Sequence, residues 1–172
     1  MIKMIKSKSV LLFSLVLFSC LAADLCVAQE APKTTTWIVV RHADREGQKD
    51  LLNEAGKTRA NQLKEIAALL RVSHIYSTDT VRTKTTVKPT ADKLGLKVAV
   101  YKKHDQETLD KLKAKHIGEV VLIVGHSNTV GPIANRLGGQ GDFSVGHDDY
   151  DDMFVLTTDE KSVRALRLKY GK

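Results

Sequence analysis

The sequence predicts a three-layer α/β domain, a mostly parallel sheet with helices on both faces and one antiparallel strand. Three observations carry this. Trp37 to Val40 and Val120 to Val124 are unbroken apolar runs rich in Val and Ile, the pattern of strands buried on both faces of a parallel sheet. Capped amphipathic stretches alternate with the strand-like ones, which is the grammar of a layered α/β fold. Two last strand-like segments meet at the turn Asp159-Glu160, so they form a hairpin, and one of them is expected to run against the parallel set.

The elements follow in order. The first strand is expected at about Trp37 to Arg41, then a charged loop from Ala43 to Leu52 containing Gly47. Asn53 is placed to cap a helix over Glu54 to about Leu70, with Leu63, Ile66, Ala67 and Leu70 at helical spacing. Gly56 weakens the start of that helix. His74 to Ser77 reads as a short strand, and Ser77-Thr78-Asp79-Thr80 as a turn rich in capping side chains. A helix over Val81 to Leu94 should stop at Gly95 and kink or break at Pro89. Leu96 to Tyr101 is a third strand, and Asp105 or Thr108 opens a Lys-rich helix to about Lys115. Glu119 to Gly125 is the strongest strand signal, followed by a helix from about Thr129 to Leu137 that Gly138-Gly139 closes. An acidic loop, Gln140 to Asp152, leads to strands at Met153 to Thr158 and Ser162 to Tyr170.

The first residues stand apart from this domain. Lys3, Lys6 and Lys8 precede an apolar stretch, Val10 to Phe18, interrupted by Ser14, and small residues lead to Cys26-Val27-Ala28. That is the layout of a secretory signal peptide cleaved after Ala28. The expected division is a signal peptide over 1–28, a polar leader over 29–35 and one domain over 36–172. Soluble export to the periplasm or medium is the first reading. A lipid-anchored form through Cys20, whose context Leu17-Phe18-Ser19-Cys20 loosely resembles a lipobox, is the second. An uncleaved anchor comes third, because the stretch is short for a span, so no stable membrane span is expected after processing.

Both cysteines, Cys20 and Cys26, precede the expected cut, which leaves the domain without thiol chemistry. The chain carries a net charge of +7, and removal of three Lys and one Asp with residues 1–28 leaves +5. The basic residues are spread, densest at Lys102-Lys103 and at Lys111, Lys113 and Lys115. A mild positive field of this kind draws anionic substrates. Nucleic acid is not an expected partner, since no aromatic residues interleave with the basic ones.

Three polar clusters follow three strands: Arg41-His42, Ser77 to Arg82, and His126-Ser127-Asn128. In a parallel sheet all three carboxyl ends open on one edge, where such folds bind ligands. Two guanidiniums, two imidazoles and two helix N-termini then face one crevice, a set suited to a phosphate dianion. A neutral imidazole among these cations can attack phosphorus, while the arginines carry the charge of the transition state. No metal and no cofactor are needed, because the arginines supply the positive charge.

Arg41-His42-Ala43 after a Val-rich strand, Arg82 within Ser77-Thr78-Asp79-Thr80-Val81-Arg82-Thr83, and Gly125-His126-Ser127 resemble the histidine phosphatase (phosphoglycerate-mutase-like) superfamily, from about Trp37 to Thr158. The resemblance implies that His42 is the nucleophile that becomes phosphohistidine and that His126 completes the catalytic pocket. It makes Arg41 and Arg82 phosphate-binding, with Ser77 and the amides near Ser127 as further contacts. Two positions depart from the pattern. Ala43 stands where the family usually has Gly, a tolerated change unless the backbone there needs φ > 0. For the general acid that protonates the leaving group, Glu107 and Asp105 are the candidates, and Asp44 is another. If none serves, leaving groups that need little protonation are preferred, such as phosphohistidine and aryl phosphates.

The 144 residues beyond Ala28 leave no room for a cap domain, so the chain is similar to the small uncapped members such as bacterial phosphohistidine phosphatases. The expected substrate is a phosphorylated small molecule or a phosphoprotein. The competing readings are a catalytically weak phospholigand-binding module and a phosphomutase. His74 is read as a strand residue near the surface, His104 and His116 as exposed, and Trp37 and Phe154 as core. His147, beside Asp148, Asp149, Asp151 and Asp152, is read as part of a solvated loop in preference to a cation site, because the stretch lacks the glycine and terminal Glu of a calcium loop; a role at the pocket rim stays open.

Overall fold

The structure is a computed structural model that describes residues 33–102, 104–159 and 161–171. The signal peptide over 1–28 with Cys20 and Cys26, residues 29–32 of the polar leader, Lys103 and Glu160 lie outside the described residues. The elements in chain order are β1 (Thr35–Arg41), α1 (Glu54–Leu69), β2 (His74–Ser77), α2 (Val81–Leu94), β3 (Val98–Val100), α3 (Gln106–Lys115), β4 (Val120–Gly125), α4 (Ser127–Arg136), β5 (Asp152–Thr158) and β6 (Val163–Lys169).

The strands form one sheet in the order β3-β2-β4-β1-β5-β6. β3, β2, β4 and β1 are parallel, whereas β5 pairs antiparallel with both β1 and β6. β5 is thus the one strand that runs against the set, as the hairpin signal predicts. The alternation of side chains along β1 splits the core in two. Trp37 and Val39 join Val121, Ile123, Val130, Ile133, Phe143 and Phe154 on the α3/α4 face. Ile38 and Val40 join Leu63, Ala67, Val87, Ala91, Leu122 and Val124 on the α1/α2 face. Two layers of apolar burial on one strand explain why its sequence shows no polar alternation.

Local chemistry sets the helix ends. Asn53 Oδ1 accepts from the Gly56 amide at 2.8 Å and caps α1. Gly56 itself is required by a close approach, since a Cβ there would lie 2.1 Å from the Asp44 carbonyl oxygen. Its cost to helix propensity is the condition for seating the β1–α1 loop on the helix. α2 ends at Gly95, whose φ of +66° forms a left-handed cap. α2 runs through Pro89 without the expected break; Val87, Thr90 and Ala91 are buried around it, and this packing outweighs one missing backbone bond. α4 starts two residues earlier than expected, because His126 acts as the cap: its amide donates to Thr129 Oγ1 at 2.9 Å.

Neither His104 nor His116 is exposed as expected. His116 is 1% exposed rather than exposed. It ends α3, and its ring turns inward against Trp37, His74 and Tyr76. A Lys-rich neighbourhood in sequence does not report the inward face at a helix end. His104 is half-buried. Among the described residues no helix is long and apolar enough to cross a membrane.

Candidate active site

The three polar clusters meet where the strand register puts them. Arg41 pairs with Gly125 and Ser77 with Val124, so β1, β2 and β4 end level on one sheet edge. The His42 amide continues the ladder by donating to the Gly125 carbonyl at 2.9 Å. The rings of His42 and His126 lie 5.5 Å apart between centroids, at 64°. His42 and Arg41 are buried, each 3% exposed, and His126 and Arg82 are half-buried.

The tautomers follow from the partners. His42 Nδ1 lies 2.9 Å from the Ala43 carbonyl oxygen. A carbonyl only accepts, so Nδ1 carries the proton and Nε2 keeps its lone pair. His126 Nδ1 lies 3.2 Å from Arg82 Nη2. Arginine only donates, so this Nδ1 accepts, and Nε2–H donates to Thr78 Oγ1 at 3.0 Å. Burial holds the pKa of His42 down to about 4, with the positive charges of Arg41 and Arg82 adding to it against the Ala43 hydrogen bond. Burial and Arg82 do the same for His126, also to about 4. Both imidazoles are therefore neutral at ordinary pH.

Both histidines bind protons less readily folded than unfolded, where the ordinary value is near 6.5. Their linkage term makes stability fall as pH drops from about 6.5 towards 4. Chemical denaturation between pH 7.5 and 4.5 checks this, and His42→Ala should flatten the dependence.

The guanidiniums are held from the side. Arg41 Nη1 donates to the carbonyl oxygens of Gly146 (3.0 Å), His147 (2.7 Å) and Asp149 (3.1 Å), and its carbon lies 4.0 Å from the Tyr150 ring centroid. Arg82 Nη1 donates to Asp50 Oδ1 at 2.9 Å. Asp50 also accepts from the amides of Val81 and Arg82, at 2.9 and 3.1 Å, and so caps α2. Burial pulls the Asp50 pKa upward, but these three bonds outweigh it and hold the carboxylate below its usual range. The Nε atoms of Arg41 and Arg82 are both buried and without a protein acceptor. Two guanidiniums close to two neutral imidazoles make a net positive site suited to an anion's oxygens.

The other expected residues are placed as follows. Ser77 is fully buried, and its hydroxyl donates to the Thr78 carbonyl at 2.9 Å. Ser127 opens α4 and is half-buried. Ala43 is buried with Leu52 and Ala60, and Arg71 is the one described non-glycine residue at positive φ, so Ala43 needs no glycine. Glu107 is exposed and pairs with Lys111 at 2.7 Å. Asp105 caps α3 by accepting from the Thr108 amide at 2.9 Å. Asp44 is tied to Arg59 at 2.7 Å. His147 is exposed, and its backbone rather than its ring serves Arg41.

Asp50, Thr78 and Tyr150 are site residues that the sequence pattern misses. Asp50 follows no strand and Tyr150 belongs to an acidic loop; Thr78 sits in the expected turn but shows its role only through His126. Asp50→Ala is expected to lower stability by about 1 kcal/mol through the lost cap. It should also lower kcat/KM roughly tenfold or more through a displaced Arg82. Urea unfolding and steady-state kinetics on the variant check both.

Residues 34–105 match the family model for the histidine phosphatase superfamily, branch 1. The match covers β1 to β3 and includes Arg41, His42 and Arg82. Solved structures share the fold. A candidate phosphohistidine phosphatase, SixA, from Agrobacterium tumefaciens aligns with a TM-score of 0.52 at 21% identity, over 78% of this chain and 98% of that one. A mycobacterial glucosyl-3-phosphoglycerate phosphatase aligns at 0.57 and 15%, over 80% and 99%. A candidate alpha-ribazole-5'-P phosphatase from Escherichia coli aligns at 0.62 and 12%, over 79% and 97%. No curated protein sequence matches the chain. Within this shared fold, the Arg-His pair, Arg82 and the Gly-His pair all sit on one sheet edge.

Proposed function

We propose that the chain is an exported, metal-independent phosphatase that hydrolyses phosphomonoesters or phosphohistidine through a phosphohistidine intermediate on His42. The observation that carries this reading is the convergence of two imidazoles and two guanidiniums: the His42 and His126 rings lie 5.5 Å apart, Arg82 Nη2 lies 3.2 Å from His126 Nδ1, and the charges of Arg41 and Arg82 both act on His42. The phosphoryl group sits between the guanidiniums, with the Ser77 turn and the first amides of α4 near Ser127 as further contacts. His42 Nε2 attacks phosphorus, the bond from phosphorus to the leaving group breaks, and the arginines hold the equatorial oxygens. His126 moves its Nε2–H bond from Thr78 to a phosphoryl oxygen. Water then attacks the phosphohistidine, the P–N bond breaks, and inorganic phosphate leaves a neutral His42.

The surroundings of Glu107, Asp105 and Asp44 favour none of them as the proton donor, because each is engaged in a cap or an ion pair. Asp50 is held ionised. This supports substrates whose leaving group needs little protonation, such as phosphohistidine or an aryl phosphate. The same observation favours the second reading, a phospholigand-binding module with weak turnover. The phosphatases named among the structural neighbours fit a phosphorylated small molecule or phosphoprotein as substrate, and the signal-peptide pattern over 1–28 fits a periplasmic or secreted location, with lipid anchoring through Cys20 as the alternative.

Turnover of p-nitrophenyl phosphate and of phosphohistidine in the presence of EDTA tests the reading. A burst followed by steady release supports it. Phosphate or vanadate binding without release of nitrophenol would establish the binding module instead.

A further inference from the structure

The sheet edge opposite the proposed active site holds a second cluster. His74 opens β2, Ser77 closes it, and at about 3.3 Å per residue the two ends lie roughly 10 Å apart. There His74 meets His116, at the end of α3, and Glu119, just before β4. Glu119 Oε2 lies 3.1 Å from His74 Nδ1 and 2.5 Å from His116 Nδ1. The three ligand atoms all fall within 4.8 Å of one another. The two rings lie 4.3 Å apart between centroids, tilted by 51°.

We propose that His74 Nδ1, His116 Nδ1 and Glu119 Oε2 form a binding site for a divalent transition metal of the zinc type, with water as the fourth ligand. Imidazole nitrogen and carboxylate oxygen are the donors zinc prefers. Tetrahedral coordination at roughly 2.0–2.2 Å sets ligands about 3.3–3.5 Å apart. The His74–Glu119 spacing is already near that value. The His116–Glu119 contact is a hydrogen bond that must open by under about 1 Å, and the Glu119 side chain, 38% exposed, is free to give that movement.

What surrounds the donors also fits. His116 is fixed on every side: its amide donates to the Leu112 carbonyl, its carbonyl accepts from Thr35 Oγ1 at 3.1 Å, and its Nε2 lies 2.8 Å from Tyr76 Oη. Tyr76 Oη also accepts from Lys115 Nζ at 3.4 Å. A ligating histidine keeps its second ring nitrogen on such a partner, which fixes ring orientation and tautomer. On metal binding, His116 Nδ1 gives up its proton contact with Glu119, and Nε2–H donates to Tyr76 Oη. His116 is buried while His74 and Glu119 are each 38% exposed, so the cluster is closed beneath and open to solvent above, which gives the ion an entry path. The bound ion would clamp the end of α3 to the starts of β2 and β4, apart from the phosphoryl chemistry.

Equilibrating the full chain with zinc at pH 7.5, followed by gel filtration, metal analysis and competition with a chromophoric chelator, tests the site. His74→Ala and Glu119→Gln, at positions that are partly exposed, serve as the variants. Wild type should retain one equivalent of zinc more than either variant, show a thermal midpoint that rises with zinc, and release that equivalent as the pH drops to 5. Its turnover of p-nitrophenyl phosphate should survive the chelator. Equal zinc retention by wild type and both variants, or a midpoint that zinc moves equally in all three, would overturn the site and leave the phosphatase reading untouched.

Discussion

Replacing His42 with alanine is expected to lower kcat by about 10⁴-fold or more, with little change in affinity for inorganic phosphate. The structure gives the reason. Nδ1 is committed to the Ala43 carbonyl, so the ring presents Nε2, and burial among cations keeps it unprotonated. Alanine removes the only group placed to accept the phosphoryl in this account, while Arg41 and Arg82 still bind the anion. Kinetics with p-nitrophenyl phosphate and calorimetry with phosphate separate the two effects. With the lone pair available down to about pH 4, the acid limb of wild-type kcat/KM should lie near 4 rather than near 6.5, once the substrate's own ionisation is allowed for.

The second large effect is expected at Arg41. Arg41→Ala should reduce kcat/KM by roughly 10²–10³-fold, the scale for loss of one preorganised charge stabiliser. It should also lower stability by about 2 kcal/mol, because a charged donor leaves buried backbone acceptors behind. Nη1 of this one side chain ties the carbonyls of Gly146, His147 and Asp149, and Tyr150 covers its guanidinium. Losing it frees the loop before β5. Arg41→Lys should recover little of the activity, since an ammonium can replace Nη1 on the loop but not the fork that also reaches an anion. Arg82, anchored by the half-exposed Asp50, should by contrast lose activity on truncation with a smaller change in stability. Parallel kinetics and urea unfolding of both variants check this difference.

These residues also mark what was legible in the sequence. β1 and β4 announce themselves because each is buried on both faces, and the polar residues at their ends mark the edge where ligands bind. Asn53, Thr80, Asp105 and Gly95 mark helix ends because capping is local chemistry. The convergence of Arg41, His42, Arg82 and His126 follows from parallel strands that end level. What holds those groups in place is not legible. Asp50 reaches α2 across 31 positions of sequence, and the carbonyls of Gly146, His147 and Asp149 act on Arg41 through backbone, which no side-chain pattern records. His116 shows the same limit: its burial depends on where α3 lands, not on its neighbours in sequence. The carboxylates nearest the expected acid position turn out to serve caps and ion pairs, and only the folded chain reveals those commitments.

The central claim is that phosphoryl transfer passes through His42. Rapid quenching of wild type with a ³²P-labelled phosphoryl donor, followed by alkaline digestion and peptide mapping, measures it directly. The account predicts an acid-labile, alkali-stable label on His42 that forms during the burst and disappears as phosphate is released. Steady turnover with no labelled protein, or a label on His126 with His42 bare, would contradict it.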